Sequence, residues 1–180
     1  PQLGRREDNA MQTAQTTQLA PVFSVRSLLG LPLFGGLVAG AALLGGLAQR
    51  RGQGLWYRVQ RKPWFNPPDW VFPPVWTALY GLIALSGWRV FRRPASRRRA
   101  VTLDLWGTQL ALNAAWTPLF FGEHKKGAAL LDVGLLVGSV GAYMVAARKV
   151  DRPAAWMLTP YLAWTGFAAV LNEELWRRNR

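Results

Sequence analysis

Residues 62–80 read KPWFNPPDWVFPPVWTALY, and the reading of this stretch decides the fold. Its nineteen residues hold five prolines, three tryptophans, two phenylalanines and a tyrosine. A proline lacks the amide hydrogen that a helix needs and biases the residue before it away from the helical region. Five of them at this spacing predict an ordered, extended connection studded with flat apolar side chains. From Pro73 or Pro74 the pattern turns to VWTALYGLIALSGWRVF, a continuous apolar run, and proline is tolerated in a first helical turn. The stretch reads as a rigid aromatic loop leading into a buried helix.

Outward from this point the chain is bunched rather than mixed. Of 180 residues, 51% are hydrophobic and 17% charged, and the charges gather between apolar runs. A bilayer core of about 30 Å needs roughly 20 apolar helical residues. Five runs approach that length, at about 28–48, 72–91, 102–121, 128–147 and 154–176, the third and fifth interrupted by polar residues. The expectation is an all-α integral membrane bundle of five transmembrane helices over residues 28–180, behind a polar, flexible tail of residues 1–27. The absence of cysteine excludes disulfides and thiolate metal sites. The net charge of +13 sits at the ends of the apolar runs, where it meets lipid phosphate, and no separate basic domain exists to carry nucleic acid.

The first span carries Gly36 and Gly40 in a G-x-x-x-G pair, continued by Ala42 and Gly46, a surface that lets another helix approach. Asp104 is read as opening the third span near a helix N-terminus, and Pro160 as bending the fifth. Counting the charged connections gives 12 positive charges on one side and 10 on the other, so loop charge does not set the orientation.

The chemistry begins with exclusions. His124 is the only histidine, and no nucleophilic triad, phosphate loop or metal-ligand cluster can be assembled. In the third span Gln109, Asn113 and Trp116 recur at i, i+4, i+7 on one face, and amides are costly against lipid, so this face points inward. Gly107, Ala111 and Ala115 form a small-residue stripe on nearly the opposite face, a candidate dimer seam. In the fifth span Tyr161, Trp164, Ala168 and Asn172 share a face. Seven tryptophans, Trp56, Trp64, Trp70, Trp88, Trp106, Trp156 and Trp176, lie near span ends as an interfacial belt. Trp76, Trp116 and Trp164 lie deeper. Deep indoles either pack with their N–H bonded to a carbonyl or wall a pocket for a large planar ligand; three of them beside two amides favour the pocket.

Three segments, KPWFNPPDWVFPPVWTALY, QLALNAAWTPLFF (109–121) and PYLAWTGFAAVLN (160–172), resemble the translocator protein / tryptophan-rich sensory protein family, and the resemblance covers roughly residues 30–178. It implies a five-helix membrane bundle, commonly a homodimer in bacteria and set in the cell envelope. It implies binding of porphyrins and of synthetic isoquinoline carboxamide and benzodiazepine ligands, and light-driven oxidative breakdown of protoporphyrin IX in some bacterial members. No cofactor is implied beyond the porphyrin as ligand or substrate. The cavity residues carried over are Tyr57, Pro67, Trp76 and Tyr80, then Asn113 and Trp116, then Trp164, Ala168 and Leu171. Trp76 and Trp164 match the indoles linked to ligand contact and porphyrin chemistry, and are the candidate catalytic residues. Two departures stand out. Glu173 and Glu174 replace a tyrosine pair of a sterol motif in animal members, and Ala128 replaces a tryptophan, which opens the pocket on that side. A transporter or lipid- and sterol-handling protein without catalysis is the competing reading. Against it, no paired charges stand at mid-span as ion-coupled carriers require.

Overall fold

The structure is a computed structural model that describes residues 25–52, 59–122 and 125–179. Of the tail expected over residues 1–27, residues 1–24 lie outside these, and the remaining three already belong to the first helix. Among the described residues all regular structure is helical: α1 (Val25–Gly52), a single 3-10 turn (Asp69–Val71), α2 (Phe72–Phe91), α3 (Arg97–Thr117), a π-helical segment (Pro118–Gly122), α4 (Lys126–Arg148), α5 (Arg152–Met157) and α6 (Thr159–Arg178).

The proline-rich stretch behaves as its composition demands. Residues 61–68 form no helix beyond a turn in which the Asn66 amide donates to the Pro63 carbonyl. Helix then sets in at Phe72, with Pro73 and Pro74 in the first turn, where their missing N–H groups cost nothing.

Four segments are long and apolar enough to cross a membrane: Leu28–Arg50, Asp69–Phe91, Gly127–Arg148 and Arg152–Arg178. The third expected span, α3, is long enough, but three arginines in its first turn together with Asp104, Gln109 and Asn113 keep its composition below that of the others. Helix α3 also begins earlier than expected. Ser96 caps it by accepting from the Arg99 amide, so Asp104 lies two turns inside the helix rather than at its N-terminus. The last span is bent, as Pro160 requires: the helix breaks at Leu158 and restarts at Thr159, with Pro160 in the new first turn.

Helix α1 packs against α2 and α3, α3 against α4, and α4 against α6. The face of α1 that does this is Gly30, Phe34, Val38, Ala41 and Gly45, a helical stripe. Its leucines 28, 29, 31, 33, 37, 43, 44 and 47 are exposed, as lipid-facing positions should be. The expected G-x-x-x-G surface is therefore not the packing surface of the single chain. No neighbouring atom lies within 4 Å of the Cβ position of Gly36, Gly40 or Gly46, whereas Gly30 meets the rings of Trp88 and Phe91 at 3.0 Å. Trp106 departs from the interfacial belt as well. It is 4% exposed, meets Phe34 edge-on at 4.6 Å, and its indole N–H donates to the Ile83 carbonyl at 2.9 Å.

The end of the bundle away from the proline-rich loop is pinned by polar bonds. Asp151, 1% exposed, accepts from the Ala154 amide as the cap of α5 and pairs with Arg89 at 3.2 Å and Arg93 at 3.0 Å on α2. Ser86 gives its proton to the Ala154 carbonyl, so the Tyr143 hydroxyl donates to Ser86, at 2.6 Å. These bonds hold α2, α4 and α5 together and fix where α6 begins.

Candidate ligand-binding site

Three helices converge on an aromatic wedge. There is little close backbone packing between α2 and α6 or between α3 and α6, and large side chains fill the space instead. From α2, Trp76 stacks on Tyr80 one turn later, with centroids at 5.3 Å and planes at 30°. The Tyr80 hydroxyl donates to Asn113 Oδ1 on α3 at 3.0 Å. From α6, Tyr161 meets the Trp76 ring edge-on at 6.3 Å, and Trp164 meets Phe72 edge-on at 5.9 Å. Trp76, Tyr80, Asn113 and Trp164 are thus brought to one region.

Trp116 and Leu171 belong to a second, adjoining cluster. Pro118 cannot continue the regular ladder of α3, and the chain takes a π-helical turn that buries Phe120 and Phe121. Trp116 stacks on Phe120 at 5.1 Å and 12° and meets Phe121 edge-on at 6.0 Å. Leu171, 7% exposed, packs in the same cluster. Phe167 joins the two clusters, 5.7 Å from Trp164 and 6.3 Å from Phe65 of the proline-rich loop. Ala168 is half-buried one residue on from Phe167. Pro67 is half-buried in the loop, its carbonyl accepting from the Asn66 side-chain amide. Tyr57 lies outside the described residues.

The loop is fastened across this end of the bundle. Pro63 is buried, Phe65 reaches α6, and Asn179 at the end of α6 clasps Arg61. In that clasp the Arg61 amide donates to Asn179 Oδ1 at 2.9 Å, and the Asn179 side chain returns a bond to the Arg61 carbonyl at 3.3 Å.

The predicted faces of α3 hold. Gln109 is fully buried and Asn113 is 6% exposed, while Gly107 and Ala111 face outward. Several buried polar atoms in and beside the wedge have no hydrogen-bond partner among the described residues: Gln109 Oε1, Trp116 Nε1 and Asp132 Oδ2. Native interiors seldom leave such groups unmet without a functional reason. Together they present both donors and acceptors beside ring faces. That suits a flat ligand carrying polar groups at its edge.

Some site residues went unassigned in the sequence reading. Tyr161 was seen in its stripe but not assigned to the site, although it touches Trp76. Phe72 and Phe167 gave no signal beyond being aromatic. Asp132 had one available: it is the single acidic residue in its span, and an ionisable group at such a depth is a functional candidate by default. It is 7% exposed. Among the described residues no three histidine, cysteine, aspartate or glutamate side chains could hold a metal ion. Glu174 is tied to Arg178 at 2.7 Å and Arg177 at 3.6 Å on its own helix. Ala128, where a tryptophan was expected from the resemblance, is exposed on α4.

Comparison with known proteins agrees with this arrangement. The family described as TspO/MBR matches residues 33–177. The translocator protein of Ovis aries is 41% identical over 133 residues, covering 72% of this chain and 79% of its own length. The tryptophan-rich sensory protein of Cereibacter sphaeroides is 41% identical over 124 residues, 69% of this chain and 77% of its own. The protein CrtK of Rhodobacter capsulatus is 36% identical over 152 residues, 84% and 95% respectively. With this similarity running from α1 to the end of α6, and with four helices of spanning length and composition, the chain is an integral membrane protein that belongs to the TspO/MBR family.

Proposed function

We propose that this protein is a membrane receptor that binds porphyrins of the protoporphyrin IX and haem type in the wedge between α2, α3 and α6, and degrades bound porphyrin with light and oxygen. The carrying observation is the chain Trp76–Tyr80–Asn113: an indole stacked on a phenol whose hydroxyl is anchored to an amide on the next helix. It supplies a flat apolar wall with a polar anchor, the pairing a macrocycle with polar edge groups needs. Arg61 and Lys62 stand in the loop beside the wedge and suit pairing with propionates. Indole rings at Trp76 and Trp164 supply single electrons to an excited macrocycle. Synthetic isoquinoline carboxamides and benzodiazepines, also flat and polar at the edge, compete for the same wedge.

In this reading all five long helices cross the membrane. The inward burial of Gln109 and Asn113 supports this for α3, since it keeps the two amides of the helix away from lipid. The setting is a bacterial cell envelope, consistent with Glu173 and Glu174 where the sterol motif of animal members needs aromatic rings. The stripe of Gly107 and Ala111, both exposed, and half-buried Ala115 is the proposed seam of a homodimer. A cysteine at Ala111 is expected to crosslink between copies in native membranes, and no crosslink there counts against the seam.

The test is a titration of purified protein with protoporphyrin IX in the dark and in light, reading tryptophan quenching and the absorption of any product. Trp76→Phe and Trp164→Phe are each expected to weaken binding about three- to tenfold, because part of the ring contact is lost. Saturable binding without a new product removes the degradation and leaves a receptor or a carrier. Absence of binding in every form removes the proposal.

A further inference from the structure

Both ends of the bundle are basic, but at one end three cations meet at a single groove. The end opposite the proline-rich loop gathers Arg89, Arg92, Arg93, Arg97, Arg98 and Arg99 around the α2–α3 turn, and Arg148, Lys149 and Arg152 around the α4–α5 turn. Most of these have employment within the fold. Arg89 and Arg93 hold Asp151. Arg92 lies over the Trp88 ring at 4.6 Å, Arg99 over Phe91 at 5.2 Å, and Arg148 over Trp156 at 4.7 Å. Arg97, Arg98, Lys149 and Arg152 are different: they are exposed, and no carboxylate, ring or hydrogen-bond acceptor among the described residues engages their side chains, and the first three stand together.

These three cations converge on the mouth of one groove between α3 and α4, a cavity of about 660 Å³. Its walls below the cations are Val101, Ala142, Val145 and Ala146. Val101 is 47% and Val145 60% exposed, so the apolar floor is open to the surroundings. Thr102 also lines it, but its hydroxyl is spent on the Arg98 carbonyl at 2.7 Å and offers the groove no free donor. The spanning segment of α4 ends at Arg148, so Lys149 stands just past the boundary between hydrocarbon and headgroups while Val145 and Ala142 lie inside it. The nearby carboxylates do not neutralise the mouth. Asp151 is buried under Arg89 and Arg93, and Asp104 lies deeper on α3 and does not line the groove.

We propose that this groove is a binding site for an anionic phospholipid, with its phosphate on Arg97, Arg98 and Lys149 and an acyl chain along Val101, Ala142 and Val145. The occupant follows from complementarity on both counts: unpaired positive charge at headgroup depth, and an apolar trough directly beneath it. An acidic protein or nucleic acid would satisfy the cations and leave the trough wet. A second copy of this chain would bring its own arginines against them.

The test uses the full-length protein in neutral detergent, titrated with phosphatidylglycerol and, separately, phosphatidylcholine of the same acyl chains. Retained lipid is counted by native mass spectrometry. The wild type is expected to hold phosphatidylglycerol at least about tenfold more tightly than phosphatidylcholine, since each basic residue at a membrane surface contributes about a fivefold factor toward anionic lipid. The triple variant R97Q/R98Q/K149Q is expected to lose that preference. Arg177→Gln with Arg178→Gln, at the far end of the bundle, is expected to keep it. Val145→Trp fills the trough and leaves the cations, and is expected to weaken phosphatidylglycerol as well. An unchanged preference in the triple variant overturns the site. Full retention in Val145→Trp overturns the acyl-chain half of it. Displacement of the lipid by inorganic phosphate at constant ionic strength would identify an anion site rather than a lipid site.

Discussion

Gly87 has no side chain because its neighbours leave no room for one. A Cβ there would stand 2.5 Å from Phe34 and 2.6 Å from Trp106, both buried rings held by their own packing. Gly87→Ala is therefore expected to destabilise by about 1–3 kcal/mol, read as a lower thermal midpoint of the purified protein. Gly36→Ala, with nothing near its Cβ, is expected to change the midpoint little or raise it. The sequence displays both glycines alike, and only their neighbours in the folded chain tell them apart. At the same scale, Asp151 has a fully buried side chain between two arginines. Asp151→Asn removes the charge and leaves Arg89 and Arg93 facing each other without the carboxylate they share. A loss of roughly 3 kcal/mol is expected in the same thermal measurement. An unchanged midpoint would show that water already solvates the pair.

At the scale of elements, prolines mark where the helices stop being regular. Pro118 ends α3 in a π-helical turn, and Pro160 separates α5 from α6. Both interruptions adjoin the wedge: one buries the phenylalanines that stack against Trp116, the other sets the position of Tyr161. The loop of residues 61–68 is held to α6 by the Asn179 clasp, two exposed hydrogen bonds together worth about 1 kcal/mol. Asn179→Ala should release it. Amide hydrogen exchange over residues 61–71 is expected to quicken roughly fivefold, with exchange in the middle of α4 unchanged. Equal exchange in both proteins would assign the closure to Phe65 and Pro63 alone.

Across the whole molecule, the wedge is where α2, α3 and α6 depend on side chains rather than backbone contact. A ligand seated there touches all three helices and binds the folded bundle only. Protoporphyrin IX at a hundred times its dissociation constant is expected to stabilise the protein by about 2.7 kcal/mol, read as a raised thermal midpoint in the dark. Trp164→Phe should lower the gain at the same porphyrin concentration. A midpoint that does not move while quenching saturates would mean that the porphyrin binds the unfolded chain as well, and so does not need the wedge.

Much of this is legible in the sequence. Helix positions followed from runs of apolar residues, because a chain in lipid must satisfy its backbone internally and the run length measures the bilayer. The loop before Phe72 and the bend at Pro160 followed from an absent N–H, a property each proline carries wherever it stands. The inward face of α3 followed from the cost of amides in hydrocarbon. Other features depend on which helices become neighbours, and no local pattern encodes that. Trp106 looked interfacial by its distance from a span end, yet α1 covers it. Tyr161 became part of the wedge because α6 faces α2, and Arg97, Arg98 and Lys149 share a mouth because α3 lies against α4. Depth along a helix can be counted in residues, whereas the partner across from it is set by the packing of the whole bundle.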